Sequence, residues 1–137
     1  MRQTVLVLAL VGLGAAVIAC SSAPRRAQAS RDRDVVTAAE LAAIAGGTAY
    51  EAIQQLRPEY LRSRGVLSLD TPTPALPVVY LDEVRAGGLE ALHTIRVADV
   101  YEIRFYSAAD ATTRFGTGHP GGAIMVTTHQ GQARVRR

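Results

Sequence analysis

A chain of 137 residues, 48% hydrophobic and 20% charged, holds one small domain with a modest core. That size excludes a barrel pore, a multi-domain enzyme and a repeat array, and an aromatic content of 5% without Trp argues against a broad stacking platform for single-stranded nucleic acid. The formal net charge is +3, all 15 basic residues are Arg, and there is one Cys.

The chain opens with Met1-Arg2-Gln3 and an uncharged stretch from Thr4 to Cys20 rich in Val, Leu and Ala. A positive start, an apolar region of roughly 15 residues and small residues at its end form a secretory signal. A membrane-spanning helix competes with this reading, but it needs about 20 apolar residues. Gly12 and Gly14 weaken it further. A lone Cys in an exported chain has no intramolecular partner, so it is free, intermolecular or modified. The stretch Val17-Ile18-Ala19-Cys20 resembles the lipobox of bacterial lipoproteins. That resemblance implies cleavage after Ala19, acylation of Cys20 and attachment to the lipid bilayer through it. An ordinary cleavage site with a chance Cys beside it is the alternative. One acyl chain gives only marginal attachment, whereas two or more hold durably. Ser21 in place of Asp implies, by the same resemblance, an outer-membrane location facing the periplasm.

Residues 1–19 are thus read as a signal peptide and 20–36 as a flexible linker. The run from Ser21 to Asp34 is polar, lacks apolar periodicity and includes Arg25, Arg26, Arg31 and Arg33. Those arginines are read as solvated, with contact to anionic headgroups as the alternative. A domain over 37–131 follows, then a basic tail over 132–137. Thr37-Ala38-Ala39-Glu40 and Thr48-Ala49-Tyr50-Glu51 each fit a capping box, so each opens a helix. Ala49, Ala52, Ile53 and Leu56 fall at the spacing of a core-facing stripe. Pro58 biases Arg57 out of helical space and ends that helix. Thr71 to Pro77 is an extended, proline-rich connector. Strands are expected at Val78–Leu81, Tyr101–Tyr106 and Ala123–Thr128, separated by helices over Leu89–Ile95 and after Ser107. In the second strand, alternation places Tyr101, Ile103 and Phe105 on one face. The expected fold is α+β, a small two-layer domain whose three- to four-stranded sheet carries short helices on one face.

Read as physical chemistry alone, Asp82 at a strand end can cap the turn toward Arg85. Gly116 suits the left-handed position after a helix, and Gly118, Gly121 and Gly122 allow a tight entry into the last strand. Glu102 and Arg104 share a face where cross-strand charge pairing is the ordinary role. The order of Val79-Tyr80-Leu81-Asp82-Glu83-Val84, Ala98-Asp99-Val100-Tyr101-Glu102-Ile103-Arg104-Phe105, Ser107-Ala108-Ala109-Asp110-Ala111, Arg114-Phe115-Gly116-Thr117-Gly118 and Gly121-Gly122-Ala123-Ile124-Met125-Val126-Thr127-Thr128 carries a family likeness. It resembles the plug domain of TonB-dependent outer-membrane receptors. The resemblance implies a plug-like fold in the cell envelope. Asp82-Glu83 stands where the family has Asp-Gly, and no TonB box is visible between Cys20 and Thr37. Nine residues remain after Thr128, so no barrel follows in this chain and transport does not transfer with the fold.

The sequence offers little reactive chemistry. His93, His119 and His129 do not pair with one another or with Cys at ligand spacing, and each is read as a surface or rim residue. Gly116 to Gly122 runs from helix to strand, the reverse of a phosphate loop, and lacks Lys. No Gly-x-Ser-x-Gly elbow is present. Asp82, Glu83 and Asp99 lack a Ca²⁺-loop pattern. These readings imply a non-enzymatic module with no cofactor or metal. Its expected partner is an envelope receptor or transport protein, not nucleic acid. A small-ligand or glycan site formed by the Asp82–Gly88 and Gly116–Gly122 loops is the other reading, using Asp82, Glu83, Arg85, Gly116, Gly118 and His119.

Overall fold

The computed structural model describes residues 33–137 apart from 45, 65–72 and 136. Five strands form one mixed sheet: β1 (Val35–Val36), β2 (Val78–Leu81), β3 (Val84–Gly87), β4 (Val100–Tyr106) and β5 (Ala123–Thr128). Their order across the sheet is β1-β4-β5-β2-β3. β5 lies at the centre, parallel to β2 and antiparallel to β4. Among the described residues, four α-helices accompany the sheet: α1 (Ala38–Ala42), α2 (Ala49–Leu56), α3 (Ala108–Phe115) and α4 (His129–Val135). The expected α+β class holds, with five strands rather than three or four and with helices on both faces of the sheet rather than one.

Alternation along β2 and β5 divides the interior between two faces. Val79, Ile124 and Val126 point to the main core with Ile103, Phe105, Leu92, Ile53 and Tyr60. Tyr80, Ala123 and Met125 point the other way and meet Ala111 and the partly buried Phe115 of α3. α1, α2 and the 3-10 turn over Leu89–Thr94 supply the main layer, and α3 covers the second face. Covering both faces explains why Val78–Leu81 and Ala123–Val126 read as unbroken apolar runs.

The helix starts follow the sequence closely. At α1 the Thr37 N–H donates to Glu40 at 2.8 Å and Glu40 N–H donates to the Thr37 hydroxyl at 3.4 Å. Thr48 and Glu51 repeat the pattern at 2.9 and 3.4 Å. Ala49, Ala52 and Ile53 are buried, and α2 stops at Leu56 before Arg57-Pro58. The region expected as a helix over Leu89–Ile95 is a 3-10 helix over Leu89–Thr94. Gly88, its preceding residue, offers no side chain to cap a regular helix.

Four segments depart from expectation. β1 falls within the stretch read as linker: its Val36 is fully buried, and it pairs with Ile103–Arg104. Two residues between Asp34 and Thr37 are too short a run to carry a periodic signal. β3 replaces the expected loop after Asp82; its Val84, Arg85 and Ala86 are exposed, as an edge strand permits. α4 crosses the boundary drawn between the domain and the basic tail. In β4 the register shifts between Val100 and Glu102, so two residues oppose one and the alternation changes phase. Val100 therefore joins Ile103 and Phe105 in the core, while Tyr101 packs edge-on against His129, with ring centres 5.8 Å apart.

Glu40 also binds across the fold, accepting from Arg57 Nη2 at 2.8 Å. The Thr37 backbone N–H is the largest cause holding its carboxyl below the ordinary 4.5, with the Thr37 hydroxyl and Arg57 adding to it. A depressed carboxyl stabilises the fold above 4.5 and loses that contribution as pH falls through the lowered value. Glu40→Gln is therefore expected to lower stability at pH 7 by about 1 kcal/mol, and the gap from wild type should close on acidification. Urea unfolding at pH 7 and at successively lower pH checks this; a gap independent of pH would contradict it.

Candidate functional site

The residues expected to form a binding site fall into two structural groups. Asp82 and Glu83 make the two-residue turn of the β2–β3 hairpin, with φ of 47° and 72°. Two positive φ values match the mirror-image turn whose twist suits a hairpin, a conformation Asp tolerates better than Glu. Asp82 does not cap toward Arg85. Its carboxylate accepts from the Thr128 N–H and the Thr128 hydroxyl, each at 2.7 Å, which ties the end of β2 to the end of β5. The Thr128 oxygen also accepts from Gly131 N–H at 3.0 Å, so the same pair caps α4. A Cβ on Gly131 would overlap the Asp82 carboxylate. That contact accounts for a glycine inside a helix, where it otherwise costs about 1 kcal/mol. Glu83 pairs with Arg114 at 2.5 Å, joining the hairpin to α3. Arg85 stands exposed on β3 opposite Tyr80.

The second group surrounds His119. Gly116 and Gly118 are exposed, with φ of 89° and 98° and open space at each Cβ position. At Gly116 a ψ of −169° gives a backbone essentially confined to glycine rather than the ordinary left-handed cap. His119 is buried at 6% exposure, which corrects its reading as a rim residue. Its Nδ1 lies 2.9 Å from the Gly116 carbonyl and its Nε2 lies 2.8 Å from the Tyr80 hydroxyl. A carbonyl can only accept, so Nδ1 carries the proton and Nε2 of the neutral ring accepts from Tyr80. The Tyr80 and Phe115 rings stack at 4.1 Å. The loop is thus a lid pinned to the second core by a histidine. The Tyr80, Phe115 and His119 rings pack together, whereas Asp82 and Glu83 bind Thr128 and Arg114, so the side chains of the two loops have separate partners.

An open cleft of about 350 Å³ lies elsewhere, between the start of β1 and α3. Asp34, Asp110, Arg104 and Arg114 contribute its charged groups. Burial is the main cause raising the Asp34 carboxyl above its ordinary value; Arg64 opposes the shift and Asp110 adds to it. Both cleft arginines are engaged, Arg104 with Glu102 at 3.0 Å and Arg114 with Glu83. Charge pairing was expected across strands; instead Glu102 and Arg104 pair with each other along one strand. No group of three or more His, Cys, Asp or Glu suited to a metal occurs among the described residues. His93 and His129 are exposed, and His93 stacks on Tyr50 at 4.1 Å.

Tyr80, Phe115 and Thr128 were not singled out as site residues. Their partners lie 39 residues away for the Tyr80–His119 bond and 46 for the Asp82–Thr128 bonds. Such pairings leave no local spacing to read. Ala19, Cys20 and the linker arginines Arg25, Arg26 and Arg31 lie outside the described residues. Among the described residues no helix is long and apolar enough to cross a membrane.

Two substitutions test these ties. Asp82→Ala removes an acceptor serving two donors and should cost about 2–3 kcal/mol in urea unfolding, whereas Asp82→Asn should cost about half as much. A loss under about 0.5 kcal/mol would leave Asp82 only a turn residue. Tyr80→Phe strands the buried Nε2 acceptor, so a double-mutant cycle with His119→Phe should show coupling of about 1 kcal/mol. Additive losses would contradict the hydrogen bond.

No family model, curated protein or solved structure matches the chain.

Proposed function

We propose that this chain is a non-enzymatic lipoprotein of a bacterial envelope. In this reading a tether from acylated Cys20 carries a small plug-like α+β interaction domain, an accessory to a receptor or transport assembly at the periplasmic face of the outer membrane. Val17-Ile18-Ala19-Cys20, followed by a polar arginine-bearing stretch, is the observation that carries the reading. The fold is compatible with it, because the described domain takes up the chain at Arg33–Val36, where Tyr60 donates to the Arg33 carbonyl at 2.5 Å. Burial pushes the Tyr60 phenol well above its usual range, so that donor keeps its proton. The plug likeness of Val79 to Thr128 motivates the partner class. The geometry of the loops supports a role other than catalysis: Asp82, Glu83 and His119 are committed to structural partners.

Metabolic labelling with a palmitate analogue in a bacterial host is expected to mark the wild-type chain and fail on Cys20→Ser, which should leave the membrane fraction. Equal labelling of both chains would overturn the anchor. Crosslinking in cells should join the domain to an envelope receptor or transporter, and recovery of none would count against the accessory role.

A further inference from the structure

One end of the sheet has a character that neither the packing nor the anchor uses. The Asp82–Glu83 turn and the start of α4 meet there through Asp82, Thr128 and Gly131. Val84 follows the turn directly, and Val135 stands one helical turn beyond Gly131. They are 69% and 76% exposed, the most exposed large hydrophobics among the described residues. Arg85 and Arg134 stand beside them in sequence, both exposed. Neither forms an ion pair in the described structure, whereas Arg57, Arg96, Arg104 and Arg114 each hold a carboxylate. Of the acids near this end, Glu83 is paired with Arg114, while the Asp82 carboxylate keeps its charge and is held against Thr128 by hydrogen bonds, leaving the two arginines in excess. Unpaired cations beside exposed aliphatic side chains suit an anionic, partly apolar surface.

We propose that this end, centred on Val84, Arg85, Arg134 and Val135, docks the domain against the anionic headgroup surface of a bilayer. The inference rests on the anchored reading only for bringing the domain near a membrane. The chain enters at the other end, where Asp34 C=O accepts from Phe105 N–H at 2.8 Å. The 12 residues between Cys20 and Arg33 are enough for docking to occur. Fully extended they span about 40 Å, against about 24 Å for a strand the length of β4. Tethering raises the local concentration of the face, so weak contacts become effective.

The test uses the full chain with vesicles of phosphatidylcholine alone or mixed with phosphatidylglycerol, read by flotation and amide hydrogen exchange. Exchange over 83–87 and 130–135 is expected to slow about fivefold or more on the anionic vesicles alone and to recover in 0.5 M salt. Arg85→Gln with Arg134→Gln should weaken the docked state about 30-fold. The salt titration decides the matter even if that variant folds poorly. Flotation with both vesicles and equal exchange on each overturns the docking face and leaves the anchor standing. Salt-sensitive flotation with anionic vesicles only, with slowing over these residues, supports docking and defeats the anchor; flotation with neither defeats both. Slowing confined to residues before Asp34 overturns the face. Slowing by poly-glutamate but not by vesicles overturns it in favour of an acidic protein surface.

Discussion

β5 pairs on one side with β4 and on the other with β2, and its first four residues, Ala123 to Val126, are buried. Ile124 and Val126 face the main core; Ala123 and Met125 face α3. A strand buried on both faces and paired on both edges satisfies its backbone only when its neighbours are in register. The helices and loops are arranged around that requirement. α3 covers what would otherwise be an exposed apolar face, and the turn at Asp82 fixes the end of the parallel pair.

The side chains that looked available for chemistry do most of this fixing. Asp82 joins β2 to β5 and to the cap of α4, Glu83 joins the hairpin to α3, and His119 pins the glycine loop to Tyr80. Buried polar groups of this kind are costly when unpaired, so a partner must be supplied by the fold. A charged residue at a strand end or a histidine in a glycine loop is therefore poor evidence for a ligand. The cleft beside β1 is polar, but Arg104 and Arg114 already have partners.

What the sequence displayed was local. The capping boxes at Thr37 and Thr48, the stripe Ala49-Ala52-Ile53 and the stop at Pro58 act within about one or two helical turns, and each is found as read. β2, β4 and β5 are apolar or alternating over enough residues to show. β1 has two residues and β3 presents mostly exposed side chains, so neither carries a hydrophobic pattern. The bulge at Tyr101 is a property of the β4–β5 pair and cannot be seen in β4 alone. The candidate site was least legible of all. His119 is buried by Tyr80 and Phe115, which come from other elements, and the partner of Asp82 is 46 residues away.

The functional account places a compact domain on a tether, with its polar side chains spent on structure and one end left basic and apolar. Its central claim concerns Cys20, because the proposed location follows from that modification, while the partner class rests on the plug likeness of Val79 to Thr128. Intact mass of the protein taken from its native membrane examines it most directly. The account predicts a polypeptide beginning at residue 20 whose excess mass equals the acyl groups on Cys20. A mass matching the unprocessed chain from Met1, or a cleaved chain without lipid, would contradict it.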